Sequence, residues 1–331
     1  MTHRHRGWRV ALPGESEPVV VADSHGGVLY MTLTRDGGLE AAHLGPGGDT
    51  EWRVAAAKRA SPAALCVTKD GDAVVTGVEE SPAGVLLTAL SRRDGTQRWV
   101  VRGAGRYLTV DGLVANSSNI VLLLRVPESI VLGAERFVNA AATTSVVPAE
   151  GKLVVAGFGL DGTLSFAWAA DTPEKATAAG ADDGFVLGLL AKRPVTLADG
   201  ARLSPGSYLV AYDFAGRRQW QRVPPPGADL SRLLHSDART TKAAHCSSDG
   251  DLDVNRAGQS LFFFGASTPG GRSHYALHDA DGRKIWEHDC MEGTLHCSVT
   301  LGDDGSVFEA GLTDAAGPTP RGAYVARVRG S

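Results

Sequence analysis

Six tryptophans divide this chain at nearly regular intervals. They stand at Trp8, Trp52, Trp99, Trp168, Trp220 and Trp286, with steps of 44, 47, 69, 52 and 66 residues, and counting on from the last through the C-terminus to Trp8 gives a sixth of 53. A period of roughly 40 to 50 residues is that of a four-stranded unit in a radial repeat, so each step reads as one unit, with insertions in the longer ones. Four of the tryptophans follow a glycine by four residues: Gly48 before Trp52, Gly95 before Trp99, Gly216 before Trp220 and Gly282 before Trp286. The fragments RRDGTQRW, DFAGRRQW and DADGRKIW read as a strand, an Asp/Gly turn and a second strand. The third unit departs from this, because Gly162 is followed at the same offset by Phe166, with Trp168 two residues on. Two residues is one strand period, so these two aromatics share a face.

Ahead of each hairpin lies an apolar run: VLYMTL from Val28, AVVTGV from Ala73, IVLLLRV from Ile120, FVLGLL from Phe185, SLFFFG from Ser260 and SVFEAG from Ser306. Short strands at even spacing, with no helical period, mean an all-β chain. The last residues, AYVARVRG from Ala323, align with AYDFAG from Ala211 as a third strand that stops at its turn glycine. The missing fourth strand is GWRVAL, residues 7–12, at the other end. The expected fold is a six-bladed β-propeller of one domain, 1–331, with four antiparallel strands per blade, closed by the N-terminal strand completing the last blade. Its blades run about 18–57, 58–105, 106–171, 172–223, 224–290, and 291–331 with 6–13.

The stretch AYDFAGRRQW resembles the repeat of pyrroloquinoline-quinone-type propellers in its Ala-x-Asp, turn glycine and Trp. The longer stretch VTLADGARLSPGSYLVAYDFAGRRQW, from Val195, is similar to the β-propeller repeats abundant in myxobacterial proteins. The resemblance implies a bacterial repeat protein of propeller architecture. Quinoprotein dehydrogenases of that class usually have eight blades and a vicinal cysteine pair, whereas this chain reads as six blades without adjacent cysteines, so no cofactor is carried over. Fold does not dictate function.

Composition narrows the function classes. With 43% hydrophobic residues the chain is not disordered, and no run of about 18 apolar residues marks a membrane span. A net charge of -4 with scattered arginines leaves no basic footprint for nucleic acid. The first residues, MTHRHRGW, lack the apolar core of a signal peptide, so the sequence as given reads as cytoplasmic, and as secreted if a leader has been removed.

Three departures from the repeat are candidate sites. Insertions at about 127–150, 193–206 and 224–250 emerge on one face of an up-and-down propeller, and loops on a rigid scaffold carry function. That face is the expected partner surface, with Phe137, Arg193, Arg202, Arg232 and His235 as contacts. The alternative is that the insertions are hairpins packing over neighbouring blades. His245 with Cys246, His288 with Cys290, and His296 with Cys297 form a soft-ligand group, but none of their spacings is that of a zinc finger. Zinc, a disulfide such as Cys246 to Cys290, and inert thiols with surface histidines stay open, the last being the commonest outcome, while Cys66 reads as a buried thiol. DGDLDVN, from Asp249 to Asn255, has the alternating carboxylates of a calcium loop, but Val254 stands where that loop needs glycine. No nucleophile elbow, phosphate loop or HExxH pattern is present. The sequence therefore favours a non-enzymatic binding protein with a protein partner. A lyase or hydrolase working at the central channel and a carbohydrate binder are the alternatives.

Overall fold

The computed structural model describes residues 7–12, 16, 18–116, 118–139, 151–181, 184–223, 243–244, 252–254, 259–264, 274–279, 283–289, 294–313 and 322–329. Every regular element among them is a strand. After β1 (Trp8–Ala11), the first sheet takes β2 (Val19–Ala22), β3 (Val28–Leu33), β4 (Leu39–Leu44) and β5 (Thr50–Ala57) in that order. The second sheet is built on β6 (Ala60–Val67), β7 (Ala73–Glu80), β8 (Ala83–Leu90) and β9 (Gln97–Gly105). The third opens with β10 (Thr109–Ala115) and β11 (Asn119–Val126), then passes through a hairpin, β12 (Ser129–Leu132) and β13 (Glu135–Val138), before β14 (Lys152–Gly159) and β15 (Leu164–Asp171). In the fourth, β16 (Lys175–Ala181) and β17 (Gly184–Ala191) precede a small hairpin, β18 (Val195–Thr196) and β19 (Arg202–Leu203), and the sheet finishes with β20 (Gly206–Asp213) and β21 (Arg218–Arg222). Beyond β22 (Ala243–Ala244), the fifth sheet holds β23 (Leu252–Val254), β24 (Ser260–Phe264), β25 (His274–His278) and β26 (Lys284–Asp289). The last holds β27 (Thr294–Leu301), β28 (Val307–Thr313) and β29 (Gly322–Arg329), and its fourth strand is β1, pairing antiparallel with Trp8 opposite Arg327 and Val10 opposite Val325.

Each apolar run singled out in the sequence is the second strand of its sheet. The runs do not alternate with polar residues because both faces of these sheets are covered. In β11, Ile120, Leu122 and Leu124 pack towards the second sheet while Val121 and Leu123 pack towards the fourth. Hydrophobic layers lie likewise between the first and second sheets, around Leu29, Leu65 and Leu86, and between the first and last, around Tyr30, Leu44 and Phe308. First strands of successive sheets touch as well: β2 meets β6, β6 meets β10, β10 meets β16, and β27 meets β2, β23 and β24.

The tryptophan spacing has its physical cause between sheets rather than within one. Trp52, on the outer strand of the first sheet, donates its indole N–H to the carbonyl of Arg92 at 2.7 Å, in the last turn of the second sheet. Its ring lies flat on Gly95 of that turn, where an added Cβ would sit 2.7 Å from the ring and where φ is +69°. Only glycine satisfies both conditions. Trp8 repeats the contact on Pro46 O and Gly48 of the first sheet, and Trp99 on Leu160 O and Gly162 of the third. In the third sheet Phe166 takes this place, 2.6 Å from where a Cβ on Gly216 would sit, while Trp168 rests on Tyr212 with 4.9 Å between ring centroids. The shared face expected of Phe166 and Trp168 thus resolves into two roles. Gly282, at the equivalent turn facing Trp220, lies outside the described residues.

Candidate partner-binding surface

The described part of the first insertion, and the second insertion, fold back onto the sheet that precedes them. β12 pairs with β9, Ile130 opposite Gly105 and Leu132 opposite Gly103, so the insertion of the third sheet lengthens the second one. Ile130, Leu132 and Phe137 turn inward, against the layer between those two sheets. In the second insertion, Val195, Leu197 and Leu203 pack into the layer between the third and fourth sheets. Asp171 ties this hairpin down, accepting a hydrogen bond from the Thr196 N–H at 2.9 Å and one from Lys152 at 2.8 Å, and Arg218 reaches Asp199 in its turn at 2.8 Å. Burial would raise the Asp171 carboxyl, but these two partners outweigh it and hold it below the usual range.

The described part of the third insertion goes elsewhere. Ala243 pairs with Cys66 and Ala244 with Leu65, on the free edge of β6, and the pair also meets the first strands β2, β10 and β16. The second sheet is therefore seven-stranded, with the order β13-β12-β9-β8-β7-β6-β22, and the first and third insertions add to its opposite edges. The described parts of the insertions thus use strand edges as well as loops.

Of the residues singled out in the sequence, Phe137 is half-buried on the inner side of its hairpin, whereas Arg193 and Arg202 are exposed. Arg232, His235, His245, Cys246 and Cys290 lie outside the described residues, and Cys297 is placed only as backbone in β27. His288 stacks on Trp286 with 5.3 Å between centroids. Of the candidate calcium loop, only Leu252–Val254 is described, as the first strand of the fifth sheet. Cys66 is fully buried, and burial pushes its thiol far up. It is expected not to react with Ellman's reagent in the folded protein and to react fully in denaturant; rapid labelling of the native state would contradict this placement.

One buried Asp–His pair has no signature in the sequence. Asp23, in the first turn of the first sheet, accepts hydrogen bonds from the backbone N–H groups of His25 at 2.8 Å and Gly27 at 2.7 Å, and lies 2.9 Å from Nε2 of His43. Nδ1 of His43 is 2.9 Å from Glu51 but out of line for a hydrogen bond. Burial works to raise the Asp23 carboxyl; the His43 and backbone hydrogen bonds, with the His43 charge, prevail and hold it at about 2. Both side chains are 3% exposed, so the pair braces the turn and is closed to a substrate. Because the folded value is depressed, the stability it contributes is full above the ordinary carboxylate range and lost as pH falls towards 2. Asp23→Asn is expected to cost about 2 kcal/mol at pH 7. Urea titrations at pH 7 and pH 2.5 check this: the gap between variant and parent should shrink at the lower pH.

Three of the six exposed large apolar residues among the described ones, Tyr107, Val131 and Val138, lie at or beside the first insertion, the others being Val100, Val223 and Ile285. Tyr107 is 72% exposed, at φ +55°, in the connection from β9 to β10, and Val131 and Val138 stand open on the β12–β13 hairpin. A bulky residue held at positive φ is strained, and such strain tends to mark functional positions. Val223, where the third insertion begins, is exposed too.

No protein-family model matches the chain, and no curated protein matches it. Solved structures do. A protein of unknown function from Dyadobacter fermentans matches with a TM-score of 0.50 and 9% identity, over 97% of this chain and 98% of that one. Streptogramin B lyase matches at 0.47 and 13% identity, over 97% of each chain, and the Dos1 propeller at 0.35 and 9%, over 95% of this chain and 84% of that one. At such identities a match speaks to the fold alone, and the fold of the described residues is all-β.

Proposed function

We propose that the chain is a six-bladed β-propeller, closed by β1, that binds a protein partner through the face carrying the insertions. Six sheets of four or more strands among the described residues, the last completed by β1, and an aromatic of one sheet lying on the turn glycine of the next in four places, support the ring. The observation that carries the binding reading is the position of the exposed apolar residues, Tyr107, Val131 and Val138, at the first insertion, because exposed apolar patches rimmed by polar groups mark interaction sites. The most strongly shifted titratable groups, Asp23, Cys66 and Tyr212, are by contrast all buried, which does not favour an enzyme reading built on perturbed groups in a cleft. A carbohydrate-binding surface would want several open aromatics, and Tyr107 is the one exposed aromatic among the described residues.

The test is affinity capture from the native source, comparing the parent with a variant in which Arg193, Arg202 and Arg232 are all changed to Glu. The expected result is a partner, identified by mass spectrometry and reproduced with purified proteins, whose binding weakens at least about tenfold in the variant. Retention of every captured partner by the variant would refute the surface.

A further inference from the structure

The first insertion changes what the second sheet presents to solvent. Its last strand, β13, pairs with β12 and has no strand on its other side among the described residues. The hairpin turns through Gly133, at φ +59° in the first central position of a two-residue loop, as a type II′ turn requires. Leu132–Glu135 and Ile130–Phe137 are then the hydrogen-bonded pairs, and the Asn139 N–H donating to Glu128 O at 2.7 Å continues the alternation. Arg136 and Val138 fall between these pairs, so their N–H and C=O groups point away from β12, along the open edge.

The register places the side chains beside this edge. Ala104, Val131 and Arg136 form one row across β9, β12 and β13, with Arg102 two residues along β9, Val138 two residues along β13, and Arg106 just past the end of β9. All are exposed, Val138 at 55% and Val131 at 38%. Arg102 reaches Glu79 at 3.3 Å while staying 55% exposed, and Arg106 and Arg136 have no ion-pair partner among the described residues. Proteins usually blunt an open apolar edge with charge, and on this face the exposed charge is all of one sign.

We propose that this face receives an extended acidic segment of a partner protein, added as a strand to the edge of β13, with a carboxylate on Arg136 and an apolar side chain on Val138, in the positive field of Arg106. The proposal rests on the partner-binding reading and names the partner's chemistry. A peptide fits better than another polyanion because only a peptide backbone answers the free N–H and C=O groups of Arg136 and Val138.

The probe is a labelled synthetic peptide of alternating Glu and Val, followed by fluorescence anisotropy with the full chain. Comparisons are its Lys–Val counterpart, a version N-methylated at alternate residues, and a single-stranded oligonucleotide of equal charge. The Glu–Val peptide is expected to bind at least about tenfold more tightly than any of the three. Arg136→Glu and Val138→Pro should each weaken it by about tenfold or more. Val138→Pro removes only an outward-facing N–H, so its melting temperature should stay within about 2 °C of the parent. Failure of the Glu–Val peptide to bind, equal binding of the N-methylated peptide, tighter binding of the oligonucleotide, or an unaffected Val138→Pro variant would each overturn the proposal. Lys69→Glu, at an exposed cation in the β6–β7 turn outside both surfaces, should leave the peptide affinity unchanged, and the triple-Arg variant reads the broader surface separately by affinity capture, so the two failures are distinguishable.

Discussion

Trp52→Ala is expected to lower the unfolding free energy by about 3–5 kcal/mol, the usual cost of emptying a large buried aromatic site. The ring is 6% exposed, contributes to the layer between the first and second sheets, and loses its hydrogen bond to Arg92 O on truncation. Gly95→Ala attacks the same contact from the other side. It combines strain at φ +69° with a methyl group driven into the indole, about 2–4 kcal/mol together. Gly37 supplies the control, since its φ of +78° is similar but nothing lies within 4 Å of an added Cβ, so Gly37→Ala should cost only about 1 kcal/mol. In the double variant the methyl group finds the space the indole vacated, so the cost should fall short of the sum. Urea denaturation of the four proteins measures this. Equal losses for Gly95→Ala and Gly37→Ala would show that the contact between sheets carries no weight.

The second large effect concerns the chain ends. Deleting residues 1–13 removes β1, and with it Trp8 on Gly48, the Arg9 guanidinium 4.4 Å from the Tyr324 ring, and Leu12 N–H bonded to Ala323 O at 2.8 Å. It also strips the partner from β29, leaving an open edge prone to association. The loss should be about 5 kcal/mol or more, given that Trp8 alone is a large aromatic in a packed layer. A fall in melting temperature of about 10 °C or more by circular dichroism is the expected readout. A permuted chain carrying residues 7–17 after a short linker at the C-terminus should recover most of it. Truncated protein that melts with the parent would contradict the role given to β1.

The strand framework was legible in the sequence because burial on both faces leaves an unbroken apolar run, and a run such as IVLLLRV can be little else. The Gly-to-Trp spacing was legible as a repeat but not as a contact, since the glycine of one unit meets the aromatic of the unit before it. What escaped were features with no local signature. Ala243–Ala244 gives no pattern from which pairing with Leu65–Cys66 could be read, and Asp23 and His43 are ordinary turn and strand residues until the hairpins meet. The basic flank had a signal that went unread: Arg98, Val100, Arg102, Ala104 and Arg106 alternate along β9, the mark of a strand with one face in water. The insertions showed where the chain leaves the repeat but not where it goes, because the order of residues does not say that β12 will pair with β9.

Hydrogen exchange of the unmodified protein tests the central claim most directly, that the first strand of the chain completes the last sheet and so closes the ring. Peptides covering Trp8–Ala11 should be protected to the same degree as those covering β28 and β29, opening only with global unfolding. Exchange of those amides at the rate of a free chain, while β28 stays protected, would contradict it.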